Sequence, residues 1–171
     1  MAWTISSNGP LGTIGIESID SSLRTGVPLG TVVRAKDPTL GDGEFIFLKG
    51  VGSTVVGSLV TYNLSAGTTT LTPTTGTNQS GPVAVAMAAN TGTSDGAWYQ
   101  IGGAAVIKKP AVKALPTSAI YLSTTAARVR TSAYSGRQVL GARTANTTTI
   151  TTTTSTVTVI INRPHLQGQT A

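Results

Sequence analysis

Threonine, serine, glycine and valine dominate this chain, and they constrain its fold more than any other feature. β-branched residues such as valine and threonine favour strands, and glycine interrupts strands at turns. We find no long apolar stripe with the 3.6-residue period of an amphipathic helix. Short apolar runs between turn signals recur instead. The pattern predicts an all-β chain of about nine or ten short strands, folded as a compact β-sandwich or barrel.

Three segments predict how strands pack. Residues 45–48 are apolar on both faces, so they should form a central strand. In residues 83–88 bulky side chains alternate with alanines, so one face should fill a core and the alanine face should be exposed or packed closely against a neighbour. The last strand should run from residue 147 to about residue 162, where Pro164 ends it. Ten threonines among residues 144–158 fit a peripheral strand.

Residues 1–27 differ from the rest, because isolated Ile and Leu side chains stand in a Ser- and Gly-rich background. Such a segment is typical of an extended arm that becomes ordered on a neighbour. We therefore predict an extended N-terminal arm over residues 1–27, a β-sandwich or barrel domain over residues 28–165 and a flexible tail over residues 166–171. The apolar residues are mostly Ala and Val, and a core of such small side chains gains little burial energy per residue. We therefore expect much of the apolar surface to be buried against other subunits.

The charges divide the chain into two unequal parts. Residues 1–95 carry four basic and six acidic residues, for a net charge of −2, whereas residues 96–171 carry eight basic residues and no acidic one. Such a lopsided field attracts a large anionic surface. We predict that the arm and the basic half contact a partner, and the candidate contact residues are Trp3, Ile5, Leu11, Ile14, Ile16, Ile19, Lys108, Lys109, Arg128 and Arg130.

The chain lacks the parts of most catalytic sites. It has no Cys and a single His. A catalytic triad needs an oriented His with an acid partner, but His165 stands far from the last acid, Asp95. Asp37, Asp42 and Glu44 form an acidic cluster without the regular oxygen spacing of a calcium loop. We therefore predict no catalytic, cofactor-binding or metal site, and a protein that is not an enzyme.

Two other classes of binding protein fit the composition. A carbohydrate- or host-surface-binding β-module would use exposed aromatic residues beside amides, as Trp98, Tyr99 and Gln100 could provide. The basic half could attract nucleic acid, although no aromatic stacking platform is recognisable among its charges. No apolar run reaches the length of a membrane-spanning helix, so we expect no membrane partner.

Three blocks of the sequence are distinctive. They read LGTVVRAKDPTLGDGEFIFLKGVGSTVVGSLVTYN at residues 29–63, GPVAVAMAAN at residues 81–90 and WYQIGGAAVIKK at residues 98–109. Together with the opening MAWTISSN and the closing INRPH, they resemble the capsid decoration, or cement, proteins of tailed bacteriophages. Residues 111–161 match that family thinly, and the Thr-rich end is longer and more repetitive than the family leads us to expect.

The resemblance implies a compact β-sandwich or barrel, often jelly-roll-like, that forms homodimers or homotrimers. It implies a virion structural protein that is made in the bacterial host cytoplasm and binds the major capsid protein. Such proteins sit on the outer surface of the head at junctions between capsomers and stabilise it against the pressure of packaged DNA. An oligomer that engages several capsid subunits gains by effective concentration, so each contact can be weak.

Overall fold

The computed structural model describes residues 3–6, 14–74 and 79–168, and its regular structure is almost entirely β-strand. The all-β prediction is confirmed. The described residues form no α-helix, and a short 3-10 turn spans Ser21–Leu23. The strands are β1 (Thr4–Ile5), β2 (Ile19–Asp20), β3 (Val32–Asp37), β4 (Gly41–Lys49), β5 (Leu59–Asn63), β6 (Thr68–Leu71), β7 (Ser80–Ala86), β8 (Gly96–Lys108), β9 (Ala119–Leu122), β10 (Val129–Arg130), β11 (Gln138–Thr144) and β12 (Thr156–Gln167).

These strands form one mixed sheet that folds back on itself. The order along its main path is β1-β3-β4-β6-β5-β7-β8-β12-β11-β9-β10, and β2 pairs with β8. Two further pairings, β4 with β8 and β7 with β12, join strands that are separated along this path. β4 and β6 meet in parallel at Lys49 and Thr68, whereas β4 and β8 are antiparallel. The sheet therefore curls, and apolar side chains fill the spaces that it encloses.

β4 runs through the middle of the molecule. Phe45 and Phe47 project into one apolar cluster, and Ile46 and Leu48 project into another on the opposite face. All four side chains are almost completely buried. β3 and β8 flank this strand on its two edges. The prediction that residues 45–48 form a central strand is confirmed.

The largest apolar cluster lies beneath the C-terminal half of the sheet. β12 contributes Val157, Val159 and Ile161 to it, as their alternation predicts. Ile120 of β9 and Val139 of β11 belong to the same cluster. The intervening residues of these strands point the other way. The C-terminal half is therefore a sheet with one buried face and one outer face.

β7 buries both of its faces within the chain. Val83 and Val85 enter the C-terminal cluster, whereas Ala84 and Ala86 pack into the cluster shared with β4 and β5. Each of these four residues is at most 1% exposed. Small side chains let neighbouring strands approach closely. The alanine face therefore packs against this same chain and is not a surface for another subunit.

The described part of residues 1–27 lies on the sheet of this same chain. Trp3 packs edge-on against Phe45, with ring centroids 4.8 Å apart. The indole Nε1 of Trp98 donates a hydrogen bond of 3.1 Å to the carbonyl of Ile14. Ile16 is buried in the same cluster, and β2 pairs with β8. The physical reason is burial: these apolar side chains cover the aromatic face of β4 and β8.

The other candidate residues of this segment differ in how deeply they are buried. Ile5 and Ile14 are partly buried against the same aromatic cluster, and Ile19 is half-buried in β2. Leu11 lies outside the described residues. Trp3 and Ile16, which are the most buried of the set, have most of their surface covered by the chain itself.

The prediction of the last strand is wrong at both ends. β12 begins at Thr156 rather than at residue 147, and it continues through Pro164 to Gln167. Pro164 falls in a bulge where β11 and β12 change register, between the pairs Ala142 with Ile161 and Leu140 with His165. A proline at a bulge removes no ladder hydrogen bond. Leu166 is buried, so the strand extends into the predicted tail.

Candidate interaction surface

Lys109 differs most from its predicted role as a contact residue. Its side chain is buried, with 1% of the residue exposed. The Nζ atom donates hydrogen bonds of 2.8 Å to the carbonyl of Val112 and 3.0 Å to that of Thr151, with a longer one to Pro110. Burial lowers the pKa of the Lys109 amine. Lys109 therefore ties two loops together and cannot contact a partner in this conformation.

The other predicted basic residues remain partly accessible. Lys108 and Arg130 are half-buried at strand ends, and Arg128 is half-buried just before β10. The Nη1 atom of Arg128 donates a 3.3 Å hydrogen bond to the carbonyl of Lys109, which fixes one end of its guanidinium. Arg130 lies opposite Tyr121 in the pairing of β10 with β9. These three cations keep part of their surface for a partner.

Three of the six carboxylates are engaged by nearby backbone groups. Buried Asp20 accepts hydrogen bonds from the backbone N–H and hydroxyl of Thr25. Buried Asp37 accepts from the N–H groups of the next turn, and Asp95 accepts from the N–H of Ser22 at 3.0 Å. These acids satisfy turn donors that would otherwise lack a partner. Asp20 and Asp37 are buried, so these two carboxylates present little of their surface to a partner.

Two more carboxylates face basic residues across a pair of strands. In the register of β3 with β4, Lys36 lies opposite Asp42 and Arg34 opposite Glu44. Arg34 Nη2 lies 3.2 Å from Glu44 Oε1, and Arg163 Nη2 of β12 lies 3.3 Å from Glu44 Oε2. Within the described residues, no group of three or more His, Cys, Asp or Glu could hold a metal ion. Asp42 and Glu44 are thus the acidic side of a cross-strand charge ladder.

A groove of about 550 Å³ surrounds Glu44, and Arg34, Gly103, Asn162 and Arg163 are part of its lining. The charges of its lining compensate one another, because Arg34 and Arg163 stand against Asp42 and Glu44. Burial raises the pKa of the Tyr62 hydroxyl, and the positive charge of Arg163 partly opposes that rise. The groove is an internally neutralised surface feature rather than a concentrated anion site.

The outer face of β8, β12, β11, β9 and β10, here called the outer sheet face, combines apolar and cationic side chains. Ile160 lies between Ala104 of β8 and Arg143 of β11 in the strand register. Arg143 in turn lies opposite Ala119 of β9. The residues that define this face are Ala104, Val106, Lys108, Ala119, Tyr121, Arg130, Gln138, Leu140, Arg143, Thr156, Thr158, Ile160 and Asn162.

None of the described residues on the outer sheet face is acidic, and every acid of the chain lies at or before Asp95. Ile160 is 47% exposed. A shallow groove of about 360 Å³ runs beside it, lined in part by Leu140, Arg143 and Asn162. Sequence reasoning missed Ile160 and Arg143. The available signal was an isoleucine on the otherwise polar face of a strand whose other face is Val157, Val159 and Ile161.

The residues of the carbohydrate alternative are not at the surface. Trp98, Tyr99 and Gln100 are each at most 1% exposed. The Gln100 amide donates to the carbonyls of Gly102 and Ala104, which fixes it inside the bulged part of β8. Burial raises the pKa of the Tyr99 hydroxyl, against a smaller lowering by its hydrogen bond with Thr69. These three residues therefore form no stacking platform for a sugar.

Comparison with known proteins adds no relative: no family model matches the chain, and no curated protein or solved structure is detectably similar to it. Across the part of the chain that the structure describes, no helix is long and apolar enough to cross a membrane.

Proposed function

We propose that this chain is a structural protein of a phage virion. It binds the major capsid protein on the outer surface of the head, at junctions between capsomers, and stabilises the head against the pressure of internal DNA. The observation that carries the proposal is the outer sheet face, where Lys108, Arg130 and Arg143 share one face with the exposed Ile160 and no described residue is acidic. The resemblance of the sequence blocks to capsid decoration proteins supports the same assignment.

The electrostatics suit recognition of a large acidic protein surface. The chain carries a net charge of +6, and the structure directs five of its six acids to backbone groups or facing cations. Complementary charge speeds association and fixes orientation, while each ion pair adds little affinity. A homodimer or homotrimer would engage several shell subunits at once, so weak contacts would sum to stable attachment.

A nucleic-acid site could use the same cations, but this face has no row of aromatic residues on which bases could stack. Proteins that bind single strands stack bases on aromatic residues along a basic groove. Trp98 and Tyr99 are buried, Tyr121 is the one aromatic residue among those that define the outer sheet face, and the described cations there are separated by Ile160, Leu140 and Val106. An apolar centre with basic residues around it fits a protein surface better than a phosphate backbone.

Co-sedimentation with empty, DNA-free shells of the corresponding capsid protein tests the proposal. We expect saturable binding that weakens as salt is added, because the charges of both surfaces are screened. Duplex DNA at the same salt concentrations is the parallel sample. Absence of saturable binding to shells, or much tighter binding to DNA, would contradict the assignment.

A further inference from the structure

We propose that the outer sheet face is the docking surface for an acidic protein surface, with Ile160 as its apolar anchor and Arg143 as its central cation. This inference rests on the proposed function and deepens it, because it names the face that meets the shell. Neither residue was among the contact candidates that the sequence pattern provided. The inference excludes the buried Lys109 and the buried aromatic residues of β8 from the contact.

The arrangement of side chains supplies the first argument. Ile160 projects from the centre of the face, with Ala104 and Arg143 opposite it on the two flanking strands. Small neighbours such as Ala104 and Ala119 leave the isoleucine and the arginine standing above the sheet. Interfaces commonly place an apolar anchor and an arginine together near their centre, within a polar rim. Thr156, Thr158 and Gln138 provide such a rim here.

Charge supplies the second argument and selects the occupant. Lys108, Arg130 and Arg143 all belong to this face, and none of its described residues is acidic. Glu44 borders the face across Gly102 at Asn162, and it is paired with Arg34 and Arg163. A second copy that docked through the same face would bring like charges together, which is unfavourable when they are desolvated. An acidic protein surface neutralises these cations and covers the apolar centre at once. The partner class is therefore an acidic protein surface rather than another copy of this chain.

The β3 face provides a matched control within the same molecule. Val32 is 45% exposed, close to the exposure of Ile160, but it shares its strand face with Arg34 and Lys36, which lie opposite acids. Arg24 is an exposed arginine that follows the 3-10 turn. The test variants are Ile160→Asp and Arg143→Glu, and the controls Val32→Asp and Arg24→Glu change polarity or charge equally at other places.

The experiment measures binding of each variant to DNA-free shells, with thermal melting as the check that every variant is folded. We expect Ile160→Asp and Arg143→Glu each to weaken binding by about tenfold or more, as central interface residues do. The control variants should stay within about threefold of the parent, as rim or distant charges do. Equal binding by all four variants overturns this inference and leaves the proposed function standing.

An NMR titration with a glutamate oligopeptide distinguishes failure of the proposed function from failure of the proposed docking face. We expect its largest chemical-shift changes at residues 140–143 and 158–162. If the parent protein does not bind shells, the proposed function fails, and shifts at those residues still support an acidic partner on this face. Shifts confined to other surfaces, or none, overturn the inference. Duplex DNA binding that Ile160→Asp and Arg143→Glu abolish also overturns it, because the occupant would then be nucleic acid.

Discussion

Lys109 shows how a single residue can reverse its expected role. The sequence places it beside Lys108 in a basic segment, but the structure buries its amine among the carbonyls of Pro110, Val112 and Thr151. Burial of a cation is costly unless hydrogen bonds compensate for lost water. The three carbonyls provide that compensation and hold the Thr-rich loop against the loop that follows β8. Lys109 thus contributes to the shape of the protein and leaves Lys108 to face outwards.

The depressed pKa of Lys109 predicts a specific pH dependence of stability. Below the folded-state pKa both states bind the proton, and the folded state bears the full cost of the buried charge. Between that pKa and the ordinary value of 10.5, the unfolded state alone binds the proton, so stability rises with pH. We expect the free energy of unfolding of the parent, relative to Lys109→Met, to increase over this alkaline range.

Urea unfolding of both proteins at a series of pH values measures this difference. Titration of Tyr62 and Tyr99 affects parent and variant equally, so it cancels in the comparison. Parallel stability curves from neutral pH to 10.5 would show that the buried amine keeps its ordinary pKa, contrary to this account.

At the scale of elements, the bulge between β11 and β12 allows the strand to pass through Pro164. Gly141 lies in the register shift between β11 and β12 and has a φ of 72°. A Cβ atom at this position would lie 2.7 Å from the carbonyl oxygen of Asn162. Gly41 has a similar φ of 77°, but a Cβ atom there would have nothing within 4 Å. A side chain at Gly41 would therefore meet backbone strain alone, whereas a side chain at Gly141 would meet both backbone strain and steric overlap.

We expect Gly41→Ala to cost about 1 kcal/mol of unfolding free energy, because it introduces only an unfavourable positive φ. Gly141→Ala should cost about 2–3 kcal/mol, since the strand must also move away from the Asn162 carbonyl. Denaturant unfolding of the two variants gives the comparison. Equal losses in the two proteins would mean that the bulge accommodates a side chain freely.

For the whole molecule, the local sequence pattern predicts which segments form strands better than it predicts which distant residues those strands contact. The alternation of Val157, Val159 and Ile161 is enough to identify the buried face of β12, and the apolar run at residues 45–48 is enough to predict a central strand. Both signals are contained within a few neighbouring residues. The prediction of an all-β fold follows from many such signals acting together.

Long-range packing explains the differences from prediction. The acceptor carbonyl of Thr151 is 42 residues from Lys109, and Trp98 bonds to Ile14 over 84 residues. No local pattern reports such contacts, so the burial of Lys109 and the packing of the described residues before residue 28 were not predictable from composition. The exposed position of Ile160 was predictable from alternation, because it lies between two inward-facing residues. Its neighbour Arg143 depends on the register of β11, which only the structure provides.

The central claim is that this protein lies on the outside of a virus shell, with its basic outer sheet face towards the shell. Image reconstruction of DNA-free shells incubated with the protein tests that claim most directly. We predict repeated added density on the outer surface at junctions between capsomers, with β11 and β12 nearest the shell. Bare shells after saturating incubation, or added density that turns the outer sheet face towards solvent, would contradict the account.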